Sequence, residues 1–462
     1  MSIKEHLIKL VVELKNTHST DFSWSKGHDF PNFVTDDTHG HQIRFTHTAL
    51  IHLNNLSLVL YENRSKNTPR IELKTYTKFT QQIVANMFAL GKFDIQLIEN
   101  DRVITRELKC ATEEYIKNKT RAFTHYFPAW TLGLESDKPF DFGPVKLISR
   151  KDWLSTVDFP QNAKNMYFGG EEENNRWKEI LTELLDGKSS QDYQLNLATE
   201  IYPAIKNCPS LVKVTINGFE KDFSRKLAII VAKTALDSVS LLLGNDKFFL
   251  QQAIYEERLI PIDSYSLIET DGYLWGPGAG LSDRVVCHSK QTFEDCLDKS
   301  KSMFPPLVSI LDGLLAPEQH SSPKLAMRWA TALNWLAEGC RESNDSIAMA
   351  KLGSSLDVLS CGGKTDGISK MVSNLLQIKE DTVVLKNKCK TLKQLIRKIY
   401  EDGRSKVLHG TYYDRLESFE IERKHAFDIA RRTLLSAAIC LHEYKGEDRD
   451  IAFRSMQPVN DK

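Results

Sequence analysis

The sequence has few cysteines, and they follow no recognisable pattern. The eight cysteines are scattered along 462 residues, and nowhere are two of them separated by two residues. Zinc ribbons and disulfide-bonded secreted domains need closely spaced or regularly paired cysteines. The chain is therefore predicted to have neither, and its cysteine usage is typical of a reducing compartment.

The sequence also lacks net charge. Lysine plus arginine and aspartate plus glutamate each number 61. A chain that attaches to nucleic acid through its overall charge carries a clear excess of cations. Any contact with nucleic acid must then come from a local basic patch.

Long hydrophobic runs are absent. The most apolar stretch, residues 227–243, is interrupted by Lys233 and Asp237, so it is too polar to span a bilayer. The first six residues, Met1 to His6, carry charge and lack the apolar core of a secretory signal. We therefore expect a cytoplasmic protein with no membrane partner.

Nucleotide-binding and metal-binding motifs are missing as well. The glycines of 276–280 are not followed by the Lys-Ser/Thr of a phosphate-binding loop. Near the N-terminus, several acidic and histidine side chains follow no ligand spacing and are interpreted as a polar loop: His28, Asp29, Asp36, Asp37, His39, His41 and His47. No cofactor and no metal site is predicted.

The length predicts two or three domains in an α+β protein. Residues 1–170 are expected to form a mixed α/β sensor or regulatory region, with strands at 49–53 and 56–61 and a β-rich segment at 94–110. Residues 171–315 are expected to be mostly helical. A Pro- and Ser-containing stretch, 316–323, leads into a C-terminal helical domain over 318–450.

Four amphipathic stripes indicate that the C-terminal domain is an all-α bundle of four-helix type. Their apolar positions recur at helical spacing: Ala326, Trp329, Leu333, Leu336 and Cys340; Ile347, Leu352, Leu356 and Leu359; Leu392, Leu395 and Ile399; and Phe427, Ala430, Leu434, Ala437 and Leu441.

The third stripe leads into a pair of residues suited to RNA chemistry. Arg404 is followed five positions later by His409. Histidine accepts and donates protons near neutral pH, and arginine presents a charged planar fork to phosphate oxygens. Cleavage of RNA through its own 2′-hydroxyl group needs proton transfer and charge stabilisation at the phosphate, and it needs no metal. On a regular α-helix, positions five apart point about 140° away from each other. Either the backbone is irregular here or a second protomer completes the site.

The segment resembles a HEPN domain of the Apea-like type. The resemblance covers roughly 324–444 and depends on Tyr400, Arg404, Ser405, His409 and Gly410 after a bundle helix. HEPN nucleases often have Asn, Asp or His where this chain has Ser405. Many relatives have a glutamate late in the second helix, where this chain has Asp357.

This resemblance implies a metal-independent endoribonuclease in which two protomers place their motifs across a shared cleft. His409 would move the protons, Arg404 would hold the phosphate, and Ser405 would add a hydrogen bond. Asp357 belongs to the same predicted catalytic set, or is a satisfied polar residue beside it. The resemblance further implies an antiphage or toxin effector that cuts tRNA or other cellular RNA, with a phage-derived trigger or inhibitor as a further partner.

Side chains around the motif are candidates for RNA binding. Cations can follow a phosphate backbone and tyrosines can stack on unpaired bases. The predicted set is Lys390, Lys393, Arg397, Lys398, Tyr400, Lys406, Tyr412 and Tyr413, in a run that also includes Lys386 and Lys388. The alternative interpretation of the lysines is a solvated helix face, and that of the tyrosines is core packing.

Three alternatives to the nuclease remain at this point. In the first alternative, Arg404 is a solvated helix residue and His409 is a helix cap, since histidine near a helix C-terminus is common. The domain is a non-catalytic module that binds RNA or nucleotides, or dimerises. The third alternative is a HEPN protein that is antitoxin-like or is partnered with a nucleotidyltransferase.

Overall fold

The structure is a computed structural model in which the chain forms two compact units. Unit 1 comprises residues 1–123 and 216–226, and unit 2 comprises residues 124–215 and 227–462. The residues that the structure describes are 2–20, 22, 32–65, 68–100, 102–167, 170–189, 195–258, 263–275, 278–281, 285–385, 389–412, 414, 416 and 418–458.

Unit 1 contains five helices and a two-stranded antiparallel sheet among its described residues. In chain order they are α1 Ile3–Thr17, β1 Asn32–Thr35, β2 Gln42–Phe45, α2 His47–Glu62, α3 Leu73–Ala89, α4 Ile95–Asn100 and α5 Val103–Lys119. In the sheet, Asn32 lies opposite Phe45 and Thr35 lies opposite Gln42. Helix α1 begins at a capping box in which Ser2 and Glu5 satisfy each other's backbone N–H groups.

The predicted strands at 49–53 and 56–61 are wrong, because both lie in α2. The buried apolar residues of this segment are Ala49, Leu53, Leu56 and Leu60. They are spaced four, three and four apart, which is the period of a helix face and not of a strand. Thr46 fixes the start, since its hydroxyl group accepts a hydrogen bond from the backbone N–H of Ala49.

The predicted β-rich segment at 94–110 is also wrong, because it consists of α4 and the first half of α5. Ile104, Leu108, Thr112 and Ile116 form the buried side of α5 at four-residue intervals. The apolar residues of the segment therefore serve a helix face, where tertiary packing outweighs local propensity.

Unit 2 contains a five-stranded sheet with the order β4-β5-β6-β3-β7. Its strands are β3 Arg121–Trp130, β4 Phe140–Phe142, β5 Val145–Ser149, β6 Ser210–Phe219 and β7 Ala253–Ile254, of which β3 and β6 extend across the unit boundaries. Residues of α9 and α10 pack with Ile148 and Leu211 of the sheet in one apolar cluster.

The middle of the chain carries helices and further short strands. They are α6 Arg150–Thr156, α7 Gln161–Met166, α8 Glu171–Asn175, α9 Trp177–Leu185, α10 Leu197–Ile205, α11 Lys221–Leu243, α12 Lys247–Gln251, β8 Asp263–Ser266, β9 Glu269–Thr270, β10 Tyr273–Leu274, β11 Gly278–Leu281, α13 Lys290–Lys299 and α14 Phe304–Leu315. Strands β8 and β11 pair with each other, as do β9 and β10.

The C-terminal part is dominated by helices. It contains α15 Pro323–Arg341, α16 Asp345–Leu359, α17 Lys364–Leu376, β12 Val383–Leu385, β13 Lys390–Thr391, α18 Leu392–Arg397, a π-helix Lys398–Ser405, α19 Lys406–Leu408 and α20 Glu420–His442. The first, second and fourth predicted stripes lie in α15, α16 and α20, and the third extends through α18 into the π-helix. Helix α17 and the β12–β13 pair are additions that the four stripes did not predict.

Buried side chains hold α15, α16 and α20 together. Trp329 of α15 is fully buried, and its indole N–H donates to the carbonyl oxygen of Leu434 in α20 at 2.8 Å. The hydroxyl group of Ser355 in α16 donates to the carbonyl oxygen of Ala332 in α15 at 2.7 Å. These bonds fix the position of α16, which carries Asp357.

The α+β class is confirmed, with helices predominating over small sheets. The compact units are bounded at 123, 215 and 226, and the predicted divisions at 170 and 315 remain predictions. Among the residues that the structure describes, no helix is both long and apolar enough to cross a membrane.

Candidate functional site

The predicted motif lies on a helix whose winding changes. Helix α18 begins at Thr391, whose side chain forms a capping box with Gln394. The chain then continues as the eight-residue π-helix Lys398–Ser405 before it returns to α-helical winding in α19. π-Helical turns are rare and occur frequently at functional sites. Of the two possibilities left by the Arg404–His409 spacing, the irregular backbone is therefore present.

Two glycines allow the π-helix to lie close against α16. A Cβ atom on Gly353 of α16 would be 2.8 Å from Cβ of Arg404 and 3.2 Å from the carbonyl oxygen of Ile399. A Cβ atom on Gly403 would be 2.9 Å from Cε of Met349 and 3.3 Å from its Cβ atom. At either position, a residue larger than glycine would fit only if the neighbouring atoms moved. Glycine in two facing helices thus brings the backbone of Arg404 next to α16.

Asp357 holds the Arg404 side chain. One carboxylate oxygen, Oδ2, lies 3.0 Å from Nη2 of Arg404, and the Asp357 side chain is 11 % exposed while that of Arg404 is 25 % exposed. Nη1 of Arg404 lies 3.4 Å from the hydroxyl oxygen of Tyr400, and the guanidinium carbon lies 5.3 Å from the centre of the Tyr400 ring. The guanidinium group is therefore fixed by one ion pair and one aromatic face.

The pair is incompletely satisfied. Oδ1 of Asp357 and Nε of Arg404 are buried and have no hydrogen-bond partner within the described residues. A guanidinium group has five N–H groups. Asp357 and Tyr400 take one each and Nε is buried, so two N–H groups at the Nη atoms remain for an anion. Arg404 is positioned by the protein and still has donors to offer.

His409 ends α19 with its ring in solvent. Its backbone N–H donates to the carbonyl oxygen of Ser405 at 2.9 Å. Gly410, with φ of 71°, and Thr411 then complete a Schellman motif through hydrogen bonds to Val407 and Lys406. Because backbone groups cap the helix, the ring is not needed for the cap. The exposed ring has no hydrogen-bond partner in the part of the chain that the structure describes.

Ser405 lies between Arg404 and His409 in the sequence, at the end of the π-helix, and is half-buried. Its carbonyl oxygen accepts the bond from His409, so it connects the two predicted catalytic residues through the backbone. The structure thus brings Asp357 and Arg404 into contact. Ser405 and His409 follow Arg404 along the chain. Among the described residues, no side-chain contact joins Arg404 and His409.

Most of the predicted RNA-binding cations are paired with acids. Lys393 lies 3.0 Å from Asp366, Arg397 lies 2.9 Å from Glu401, Lys406 lies 2.8 Å from Asp402, and Lys398 contacts Glu422. The hydrogen bonds that Lys393, Arg397 and Lys406 donate to these carboxylates raise the pKa values of the three cations. Asp366 and Glu422 are distant in sequence, so the basic run is more nearly neutral than its local sequence suggests.

The remaining predicted RNA-binding residues are less uniform. Lys390 lies in β13 and is half-buried. Tyr400 is covered on one face by Arg404, and Tyr412 packs against the Phe419 ring with centroids 5.3 Å apart. Tyr413, Lys386 and Lys388 lie outside the described residues. Tyr400 and Tyr412 are therefore partly used for packing within the protein.

A cleft elsewhere in unit 2 offers a second polar site. It has a volume of about 310 Å³ and is lined by the middle of α11, the C-terminal end of α15, β7 and residues that follow β7. Its charged groups pair with one another, with Lys233 2.9 Å from Glu257 and Arg258 2.7 Å from Glu338. The charges of this cleft are mutually satisfied, in contrast to those around Arg404.

Comparisons of the chain with protein-family models, with curated proteins and with solved structures found no match. The case for a site at Arg404 and His409 consequently depends on geometry and chemistry.

Two glycines that the sequence patterns did not single out allow the helices of the site to approach each other. Gly353 and Gly403 lie inside helices, where glycine is unfavourable by about 1 kcal/mol relative to alanine. A glycine inside a helix is therefore a signal of close packing. That signal was present in the sequence, but only the structure shows that the two glycines face one site.

Proposed function

We propose that the chain is a metal-independent endoribonuclease of HEPN type that cleaves RNA by attack of the 2′-hydroxyl group. The observation that carries the proposal is the guanidinium group of Arg404. Arg404 lies on the π-helix, its guanidinium group is held by Asp357 of α16, and two of its N–H groups remain as donors. An exposed histidine follows five residues later. This arrangement supplies positive charge for a phosphate and a group that can transfer a proton.

The chemistry assigns a role to each residue. The 2′-oxygen attacks phosphorus, the bond to the 5′-oxygen breaks, and the products are a 2′,3′-cyclic phosphate and a 5′-hydroxyl group. Arg404 stabilises the charge that grows on the phosphate oxygens. His409 accepts the proton of the 2′-hydroxyl group or donates one to the leaving oxygen. Asp357 positions Arg404, and Ser405 offers a hydroxyl group to the substrate.

One histidine cannot act as base and acid in the same step, so we propose a homodimer that supplies two copies of His409. Exposed apolar side chains near the motif support this. Leu408, Leu416 and Ile421 are 57, 95 and 55 % exposed. All three follow Arg404 within 17 residues of sequence, and contiguous exposed apolar surface is typical of protein–protein contacts. A second copy would cover them and place its own motif nearby.

RNA would approach along the cations that surround the site. The ion pairs of Lys393, Arg397 and Lys406 are exposed, and exposed pairs contribute little to stability, so phosphate groups can replace these acids at small cost. We propose tRNA as the favoured substrate and antiphage defence as the setting, with unit 1 in the sensor or regulatory role. The division into two compact units is compatible with a regulatory region and a separate effector region.

The test is cleavage of total tRNA by purified, full-length protein in the presence of EDTA. We expect cleavage by the wild type, a loss of about 10²–10⁴-fold for His409→Ala and a loss of about 10²–10³-fold for Arg404→Ala. The cut ends should carry 2′,3′-cyclic phosphate and 5′-hydroxyl groups.

Two control variants replace the same residue types outside the site. His442 is exposed at the end of α20, and Arg449 is 71 % exposed and pairs with Glu447. His442→Ala and Arg449→Ala should cleave like the wild type. Equal cleavage by all five proteins would contradict the proposal, since it would place the activity elsewhere.

A second candidate function is a non-catalytic module that binds RNA. It is favoured by the engagement of Arg404 with Asp357 and by the position of His409 at a helix end. RNA affinity measured on the same variants separates the two functions. A nuclease loses cleavage in His409→Ala and keeps its affinity, whereas a module shows no cleavage dependent on His409 and loses affinity when its cations are removed.

A further inference from the structure

The turn between β1 and β2 in unit 1 brings three potential metal ligands together. Asp36, His39 and His41 each offer one ligand atom, and these atoms all lie within 4.8 Å of one another. They are three of the seven residues that the sequence suggested were only a polar loop.

The turn is rigidly built around Asp36. The backbone N–H of Asp36 donates to the carbonyl oxygen of His41 at 2.9 Å and closes the loop. The Asp36 side chain is fully buried. Its Oδ1 accepts from the backbone N–H groups of Thr38 and His39 at 2.9 and 2.7 Å, and its Oδ2 accepts from that of His41 at 2.6 Å. A carboxylate has about four acceptor positions, so Oδ2 keeps one for a further ligand.

Amide side chains anchor the same turn to α3. The amide group of Asn86 accepts from the backbone N–H of Asp37 at 2.9 Å and donates to its carboxylate at 3.0 Å. Gln82 donates to the carbonyl oxygen of Thr35 at 2.8 Å. The backbone that carries the three ligands is therefore fixed before any ion binds, which lowers the entropic cost of binding.

The two imidazole rings face the carboxylate at a distance that suits an ion better than a hydrogen bond. Nδ1 of His39 lies 3.9 Å from Oδ1, and Nδ1 of His41 lies 3.9 Å from Oδ2. Nitrogen–oxygen hydrogen bonds span about 2.7–3.2 Å. Two ligands that each lie about 2.1 Å from one tetrahedral ion are about 3.4 Å apart. Small rotations of the exposed rings, which are stacked 5.5 Å apart, close the difference.

We propose that Asp36, His39 and His41 bind one divalent transition-metal ion of the zinc type. Two imidazole nitrogens and one carboxylate oxygen are ligands that Zn²⁺ favours, whereas Mg²⁺ and Ca²⁺ prefer oxygen alone. With three protein ligands the fourth position goes to water or to another ligand. The ion would lock the β1–β2 turn of unit 1, and the proposal does not depend on the nuclease.

The test measures binding of Co²⁺ and Zn²⁺ to tag-free, full-length protein. Co²⁺ reports tetrahedral coordination through its visible absorption, and competition by Zn²⁺ gives the affinity. We expect one ion per chain and a loss of at least about 10–100-fold in affinity for the double variant His39→Ala/His41→Ala. Both rings are exposed, by 47 and 68 %, so this variant should fold normally.

The matched control is His47→Ala, since His47 is also exposed and lies at the start of α2 in the same unit. It should bind like the wild type, and Zn²⁺ should raise the thermal unfolding temperature of both but not of the double variant. Equal binding by the double variant would mean an adventitious ion only and would overturn the proposal, as would the absence of a saturable site in the wild type.

Discussion

Two of the aspartate–arginine pairs that join helices in unit 2 differ in how fully they are satisfied. Asp237 of α11 and Arg341 of α15 are 1 and 5 % exposed. Arg341 donates to Asp237, to Glu338 and to the carbonyl oxygens of Phe249 and Gln252. Asp357 and Arg404 make one ion pair and leave a buried acceptor and a buried donor without a partner.

The difference separates a pair that holds the fold from one that is available for chemistry. A buried ion pair is tolerated when its remaining donors and acceptors are satisfied. Around Arg341 they are, so nothing is left for a ligand. Around Arg404 the partners are incomplete and the guanidinium group reaches solvent, which is unfavourable for a purely structural pair and suitable for binding a phosphate.

The largest expected effect comes from breaking the structural pair. Arg341→Met leaves the Asp237 carboxylate buried without its cation, and we expect the free energy of unfolding to fall by about 3–5 kcal/mol. Arg404→Met should lower it by only about 1–2 kcal/mol, because that site is partly exposed. Urea titration of both variants measures the difference.

If Arg404→Met were as destabilising as Arg341→Met, the two pairs would be equivalent and the distinction would fail. Cleavage provides the independent readout. Arg404→Met should lower cleavage by about 10²–10³-fold while the protein remains folded, whereas any loss of activity in Arg341→Met should follow its loss of folded protein.

The next effect tests whether Asp357 positions Arg404. Asp357→Asn keeps the shape of the side chain and removes its charge. We expect cleavage to fall by about 10²-fold, since a small misplacement of a catalytic group has that effect, with RNA affinity unchanged. Asp366→Asn, at an exposed partner of Lys393, is the control and should cleave normally. A parallel loss of RNA affinity in Asp357→Asn would instead assign it to binding.

The sequence predicted those parts of the site that depend on local spacing. The stripes of α15, α16 and α20 and the position of Arg404 five residues before His409 follow from periodicity and composition. The contact between Asp357 and Arg404 connects residues 47 positions apart and depends on Gly353 and Gly403, so it emerges only from packing. The errors at 49–61 and 94–110 have a related cause, since short apolar runs suit a strand as well as a buried helix face until tertiary contacts decide.

A smaller effect is expected from the glycine that brings α16 and the π-helix together. Gly353→Ala places a methyl group 2.8 Å from Cβ of Arg404, and we expect a loss of about 1–3 kcal/mol in stability together with reduced cleavage. Gly367→Ala, in α17, is the matched control. Its added Cβ atom would lie 3.5 Å from the Arg454 side chain, which is an ordinary van der Waals distance. That variant should be neutral or more stable by up to about 1 kcal/mol. Full activity in Gly353→Ala would show that close approach of the two helices is dispensable for chemistry.

The smallest effect concerns the cations whose charges are already paired. Lys393 is 51 % exposed and contacts two acids, so Lys393→Ala should leave folding and maximal cleavage rate unchanged. If Lys393 contacts a phosphate, the slope of log affinity against log salt for single-stranded RNA should decrease by about 0.7. Lys301, 71 % exposed and paired with Asp298, provides the control, and Lys301→Ala should keep the wild-type slope. Identical slopes for both variants would remove Lys393 from the RNA path. Its acids would then neutralise it in the complex as they do in the free protein, and binding would depend on Arg404 and on the groups close to it.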